Sequence, residues 1–326
     1  MHADRGHTIA AILRILDEAG RPLGSTKIAR ALRAAGIDLA ERMVRNYLAE
    51  TDRQGLTVNL GRPGRRITDA GRRELAAAGA IEKVGFIDAR GEELAYRMTL
   101  DPARRRGSVI LNVSAVPRGR LAEARRIVAE VIRAGLGMGR LGRVDGTTGA
   151  GVPGLPAGSD EAAVSTVCAL TLNGLLASAG VPVVSRFGGL MEMHDGSLRR
   201  FTHIIEYAGT TLDPIEIFIK ARMTRVRDAA RTGSGIIGAS FREVPAPALP
   251  QVRKVLARMD EVGLGGMVVV GEPSRPLAEI PVGQGRAGLV IAAGLNPIAA
   301  VQEAGIPTEN RAMARLREFS DLEPLV

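Results

Sequence analysis

Arg42, Arg45, Asn46, Ala49 and Arg53 fall on one side of a segment with helical periodicity. Arginine can hold guanine through two parallel hydrogen bonds, and asparagine can hold adenine in the same way. A helix face carrying three arginines and an asparagine therefore suits the major groove of double-stranded DNA. Immediately downstream, Gly61-Arg62-Pro63-Gly64-Arg65-Arg66 forms a basic turn between short apolar runs. Arg62, Arg65 and Arg66 at such a tip would reach phosphates or a minor groove. Further along, Thr171-Leu172-Asn173-Gly174 ends an apolar run and opens a helical one. Free N–H groups at a helix start attract anions, and ligands in α/β sheets gather at strand ends. Arg186 follows closely as a clamp for a carboxylate. Thr202 and His203 lie on a nearby hairpin, and Thr210-Thr211 precede the next helix. The plainer reading, ordinary caps and a surface arginine, stays open beside this one.

The elements that must position these residues are legible in outline. Ile9, Ile12, Leu13 and Leu16 make the stripe of a first helix that stops at Gly20. Ser25 is read as the cap of a second helix with Ile28 and Leu32, closed by Gly36. A third helix spans Asp38 to Gln54, with Asp38 and Glu41 at capping-box spacing. Met43, Val44, Tyr47, Leu48 and Thr51 form its buried stripe. Strands at Leu56–Val58 and Ile67–Thr68 flank the basic turn, and Thr68 caps a fourth helix through Leu75. This order predicts a winged helix-turn-helix over residues 1–80.

Beyond residue 80 the chain repeats itself. Val116-Pro117, Leu121 and Gly135-Leu136-Gly137 recur as Val244-Pro245, Leu249 and Gly263-Leu264-Gly265. Leu172-Asn173 with Ala179-Gly180-Val181-Pro182 pairs with Leu295-Asn296 and Ala304-Gly305-Ile306-Pro307. Constant order argues for tandem duplication, with copies at about 81–207 and 208–326. Gly107–Val116 and Gly233–Val244 read as strands, and Arg118–Ala134 and Ala246–Val262 as helices. Asn173 and Asn296 read as N-caps, with Pro297 at the first helical position. A hairpin turns at Asp195-Gly196. The class is α+β or α/β: a winged helix followed by an internally duplicated α/β effector domain.

Charge agrees with a polyanion-binding head. Residues 1–80 hold 14 Lys+Arg against 9 Asp+Glu, a net of +5, whereas the other 246 hold 30 against 26, a net of +4. That density favours the N-terminal part as the nucleic-acid module. One cysteine, Cys168, excludes an intramolecular disulfide framework and fits a reducing cytosol. The absence of a secretory h-region or a convincing membrane span leads us to expect a cytoplasmic protein. No phosphate-binding loop, HExxH or CxxC pair occurs, so an enzyme fused to a DNA-binding head is a minor alternative. Cys168 sits in an apolar strand and reads as a small buried side chain rather than a nucleophile. An RNA-binding or protein-interaction module is a further alternative. It lacks stacking aromatics: residues 1–80 contain only Tyr47.

Longer strings carry a family resemblance. Val84-Gly85-Phe86-Ile87, Tyr96-Arg97-Met98-Thr99, Val167-Cys168, Gly188-Gly189-Leu190, Arg200-Phe201-Thr202 and Gly209-Thr210-Thr211-Leu212-Asp213-Pro214 resemble the NrpR family of nitrogen-responsive transcriptional repressors. The winged-helix residues resemble it too, so the likeness runs along almost the whole chain. The resemblance implies a homodimeric or larger repressor that leaves its operators when 2-oxoglutarate accumulates. It implies no cofactor and no catalysis, with the dicarboxylate acting as effector. Because Cys168 lies in a matching string, the resemblance also marks it as a pocket-lining residue.

Overall fold

The computed structural model describes residues 5–35, 37–77, 87–146 and 160–326. The chain divides into two compact units, residues 1–85 and 86–326.

In the first unit, α1 (Arg5–Ala19), α2 (Ser25–Ala34) and α3 (Glu41–Arg53) precede the hairpin of β1 (Thr57–Asn59) and β2 (Arg65–Ile67), then α4 (Asp69–Ala77). Ile12, Leu16, Ile28, Leu32, Val44, Leu48 and Ile67 meet in one core. Leu23 adds a bridge to Arg65, with reciprocal backbone bonds of 2.9 Å. Gly64 makes this approach possible: a Cβ there would stand 2.3 Å from the Leu23 carbonyl. Thr68 caps α4 through the N–H of Gly71, as its position predicts. Two other caps differ. Ser25 is the first helical residue and binds Glu41 across the turn, while Gly24 occupies the cap. Helix α3 begins at Glu41, three residues after Asp38, which pairs instead with Arg33 at 2.9 Å. Met43 lies outside the buried stripe and is exposed, because Val44, Leu48 and Thr51 already fill the contact with the core.

The second unit opens with α5 (Ile87–Arg97). Its first copy runs β3 (Ser108–Pro117), α6 (Leu121–Arg133), β4 (Leu141–Asp145), β5 (Glu161–Val167), α7 (Leu170–Ser178), β6 (Val184–His194) and β7 (Ser197–Glu206). Helices α8 (Pro214–Lys220) and α9 (Val226–Thr232) lead into the second copy. That copy runs β8 (Gly235–Pro245), α10 (Leu249–Glu261), β9 (Val268–Val270), β10 (Arg286–Ala292), α11 (Asn296–Glu303), β11 (Glu309–Glu318) and β12 (Glu323–Pro324). The hairpin between β6 and β7 turns at Asp195 and Gly196, both at positive φ, as Asp-Gly predicts.

The two copies exchange strands. One sheet has the order β7-β6-β8-β10-β9 and the other β11-β3-β5-β4-β12. The strand after α7 thus pairs with the second copy, and the strand after α11 pairs with the first. The helices cross as well, α11 packing on α6 and α10 on α7. A single core spans both sheets. Every pairing between neighbouring strands is antiparallel. The unit is therefore α+β, and the strand-end rule of parallel α/β sheets does not apply to it.

The structure also corrects the local register of the repeat. Cys168 N donates to Ile110 O and Ala293 N donates to Gly238 O, both at 2.9 Å. Three residues on, Thr171 Oγ1 accepts from Ile110 N and donates to Ile110 O. Asn296 Oδ1 accepts from Gly238 N at 2.8 Å, and its Nδ2 donates to Gly238 O at 2.9 Å. Thr171 is therefore the partner of Asn296. Neither Asn173 nor Asn296 is an N-cap: α7 starts at Leu170 with Asn173 inside it, and Leu295 precedes α11.

Candidate functional sites

In the first unit, Arg42, Arg45, Asn46, Ala49 and Arg53 are all exposed on α3. Arg45 pairs with Glu41 one turn away at 2.8 Å, and Arg53 touches the Ala49 carbonyl. A solvent-facing pair of this kind holds its arginine weakly. Arg62 and Arg66 are exposed on the wing. Arg65 is different. Its Nε lies 2.8 Å from Asp52 Oδ2, and both side chains are mostly buried. Thr57 Oγ1 donates to Asp52 Oδ1 at 2.6 Å and lies 2.8 Å from Thr51 Oγ1. This network stitches the wing to α3, so Arg65 holds the hairpin instead of extending from it.

In the second unit a cavity of about 330 Å³ lies where the two copies meet, near the lower end of the size range of small-molecule sites. Its walls come from the start of α5, the ends of β5 and β10, the start of β6, and strands β8 and β11. Gly294 permits the close approach here, because a Cβ would stand 1.9 Å from the Val167 carbonyl. Arg242 is the cavity's most unusual wall residue. It is 2% exposed, and its Nε and Nη1 have no hydrogen-bond partner. Burial pulls its pKa down, but a guanidinium stays charged at neutral pH. Asn173 Oδ1, also on the cavity wall, is likewise buried and unpartnered, while the buried Ser240 Oγ lies beside the Tyr207 hydroxyl. Asn112 reaches in from β3, its Oδ1 accepting from Met313 N at 3.2 Å. Met313, at φ 49° in a bulge of β11, completes that wall.

The predicted effector residues divide. Cys168 and Asn173 line the cavity, and Asn173 Nδ2 donates to Ser185 Oγ at 3.0 Å. Burial pushes the Cys168 thiol up to about 11, so it is a neutral wall and no nucleophile near pH 7. Thr171 is spent on Ile110, and Gly174 packs against Met98. Arg186 lies outside the cavity wall. With Arg286 it brackets the buried carboxylate of Glu243, on the strand face opposite Arg242. Thr202 and His203 are exposed on β7 and bond each other. Sequence reasoning missed Arg242, Asp213, Tyr207 and Ser240. One signal was available: Arg242 interrupts an apolar strand where the copy 128 positions earlier has Ser114.

Among the described residues, no group of three or more His, Cys, Asp or Glu side chains could hold a metal ion. No helix among them is long and apolar enough to cross a membrane.

A winged helix coupled in one chain to a duplicated domain with a charged internal cavity defines a regulatory protein of the winged-helix class. The chain belongs to the NrpR family: residues 84–324 match the NrpR regulatory domains NRD1 and 2. Residues 10–75 match the ribonuclease R winged-helix domain. The global nitrogen regulator NrpRI of Methanosarcina mazei is 31% identical over 96% of each chain. The global nitrogen regulator NrpR of Methanococcus maripaludis is 26% identical over 96% of this chain, which spans 54% of that protein. A crystal structure of a nitrogen repressor-like protein from Methanococcus jannaschii superposes with a TM-score of 0.61 at 28% identity. It covers 73% of this chain and 97% of its own.

Proposed function

We propose that this protein is a nitrogen-responsive transcriptional repressor, released from its operators when 2-oxoglutarate fills the cavity of residues 86–326. The observation that carries the ligand half is Arg242, a buried cation lining the cavity with two unpartnered donor nitrogens. A buried charge without a partner is costly, and a carboxylate removes that cost. The nitrogen-regulator names of the relatives support the DNA half, together with the exposed Arg42–Arg45–Asn46 face. A homodimer would present two recognition helices to half-sites about one DNA turn apart. The ligand weakens operator binding only by preferring the arrangement that does not fit DNA. No catalytic role is assigned to the cavity.

The test is fluorescence anisotropy on the DNA upstream of the host's glutamine synthetase gene, titrated with 2-oxoglutarate at fixed salt. Salt is fixed because phosphate contacts make affinity steeply salt-dependent. Specific binding that 2-oxoglutarate leaves unchanged would keep a repressor and discard this effector in favour of another small carboxylate. Absence of specific binding would reject the operator reading.

The two kinds of arginine on the winged helix should separate in the same assay. Arg45→Ala is expected to lose about 1–3 kcal/mol of operator affinity and to relax base preference at one or two positions. Removing Arg66 should instead weaken all sequences alike and reduce the salt slope by about 1. Arg65→Ala should lower the melting temperature of the winged helix, since it orphans the half-buried Asp52. Wild-type stability in Arg65→Ala would reject its assignment to the wing scaffold.

A further inference from the structure

The cavity that takes the proposed effector is lined by a half-buried acid, Asp213, as well as by the buried cation Arg242. Asp213 caps α8: its Oδ1 accepts from Ile215 N at 2.9 Å and from Glu216 N at 3.2 Å. Its second oxygen, Oδ2, makes no hydrogen bond among the described residues, and the side chain lines the cavity. Arg242 lines the same cavity and is not ion-paired with it. Cys168 and Tyr207 lie close enough to both to feel each charge. Besides the Asn173 amide oxygen, the cavity thus has two unmet ionisable groups: a guanidinium with free donors and a carboxyl with a free oxygen.

A dicarboxylate meets the first of these and conflicts with the second. With one carboxylate on Arg242, the rest of an oxo acid such as 2-oxoglutarate offers only acceptors. An ionised Asp213 would repel them inside a desolvated space, whereas a protonated Asp213 would donate to them. The groups around it favour the neutral form on balance. Burial dominates and raises its pKa, against the two backbone N–H groups and Arg90 of α5, which lower it. Glu216, one turn along α8, is itself pushed up to about 7 by burial. Arg90 is partly committed, donating to the Met313 carbonyl at 3.1 Å. Asp88 and Glu92 of α5 also line the cavity and add negative charge. Cys168 and Tyr207 stay neutral in this range, both held up by burial.

We propose, resting on the reading of this cavity as the effector site, that Asp213 enters the complex as the neutral acid and donates Oδ2–H to the keto oxygen of the ligand. Asp213 is then the residue that selects an oxo acid over the amino acid of the same skeleton. An ammonium at that carbon has no lone pair to accept the proton, and it could pair with Asp213 only by ionising it against the burial that favours the neutral acid.

Calorimetric titration of the full chain tests this, with 2-oxoglutarate in buffers of different ionisation enthalpy between pH 6 and 9. Proton uptake is expected to approach one per site as pH rises. Affinity should fall about tenfold per pH unit once Asp213 is ionised in the free protein. Asp213→Asn keeps the cap and a donor, so its affinity should be flat across that range, with no proton uptake. L-glutamate should bind the wild type at least about tenfold more weakly than 2-oxoglutarate, since its ammonium cannot accept the Asp213 proton. Zero proton uptake at a pH where carboxyl NMR shows Asp213 ionised in the free protein overturns the proposal, as does proton release at any pH or L-glutamate binding as tightly as 2-oxoglutarate. An unchanged pH profile in Asp213→Asn overturns it too. If that variant fails to fold, the wild-type proton uptake and the glutamate comparison still decide. A wild type that binds no 2-oxoglutarate at any pH rejects the effector assignment itself, a different result from binding without proton uptake.

Discussion

Arg242→Met is expected to lose effector binding almost completely while leaving the ligand-free protein as stable as before, or more so. The two halves of this result have one cause. Arg242 is 2% exposed on β8, and its Nε and Nη1 lack partners. Truncating one member of a buried charge pair costs roughly 2–5 kcal/mol of binding, a loss of about 30-fold to several thousand-fold. In the ligand-free protein the same side chain is a desolvated charge with nothing to offset it. Replacing buried charged groups by apolar side chains of similar volume is often neutral or stabilising, by about 1–4 kcal/mol. Methionine keeps the length of the stem and fills irregular space. Calorimetric titration with 2-oxoglutarate and thermal unfolding without it measure the two halves separately. A variant that melts several degrees lower yet binds normally would make Arg242 a structural residue. A site that sacrifices stability for recognition behaves in the opposite way.

The winged helix was legible in the sequence and the cavity only in part, for physical reasons. Among the described residues of 1–80 most elements pack on a neighbour in sequence, with α4 returning to α1, so periodicity and turn residues go far towards ordering them. The errors there are local: Asp38 is spent on Arg33, and Met43 lies one position outside the core stripe. The regulatory unit depends on long-range pairing. Periodicity marks β6 and β11 as strands, but nothing in their residues says that each joins the other copy's sheet. That exchange brings Asn173 and Cys168 from one copy against Arg242 and Asp213. Arg186 looked like the clamp because it follows a loop, which is where ligand-binding arginines are often found. Its place on β6 turns it toward Glu243 instead. Arg242 escaped notice because nothing in the strand from Ile236 to Val244 tells which of its two adjacent charges, Arg242 or Glu243, faces a cavity.

Asn296→Ala should be among the most destabilising single changes in residues 86–326, and it decides between two registers of the internal repeat. The Asn296 side chain is fully buried and makes three hydrogen bonds of 2.8–2.9 Å, to Gly238 N, Gly238 O and Leu136 O. Alanine takes the side-chain partner from the buried Gly238 N and Leu136 O, while Gly238 O keeps the Ala293 N–H. Each stranded polar group costs roughly 1–3 kcal/mol, so a total of about 3–5 kcal/mol is expected, allowing for some relaxation. That corresponds to a fall of roughly 10 °C in melting temperature for a domain of this size. Thr171→Val, at the equivalent position, removes a hydroxyl whose two contacts are both 3.3 Å long and should cost about 1 kcal/mol. Asn173→Ala removes one bond to Ser185 and one unsatisfied oxygen, so the ligand-free protein should barely change. Sequence similarity alone pairs Asn173 with Asn296 and would assign them equal weight. Equal losses in the Asn173 and Asn296 variants, followed by calorimetry of the ligand-free chain, would restore that pairing. A large loss at Asn296 with a small one at Asn173 would place Asn173 among the ligand-facing residues, where its unpartnered amide oxygen already sits.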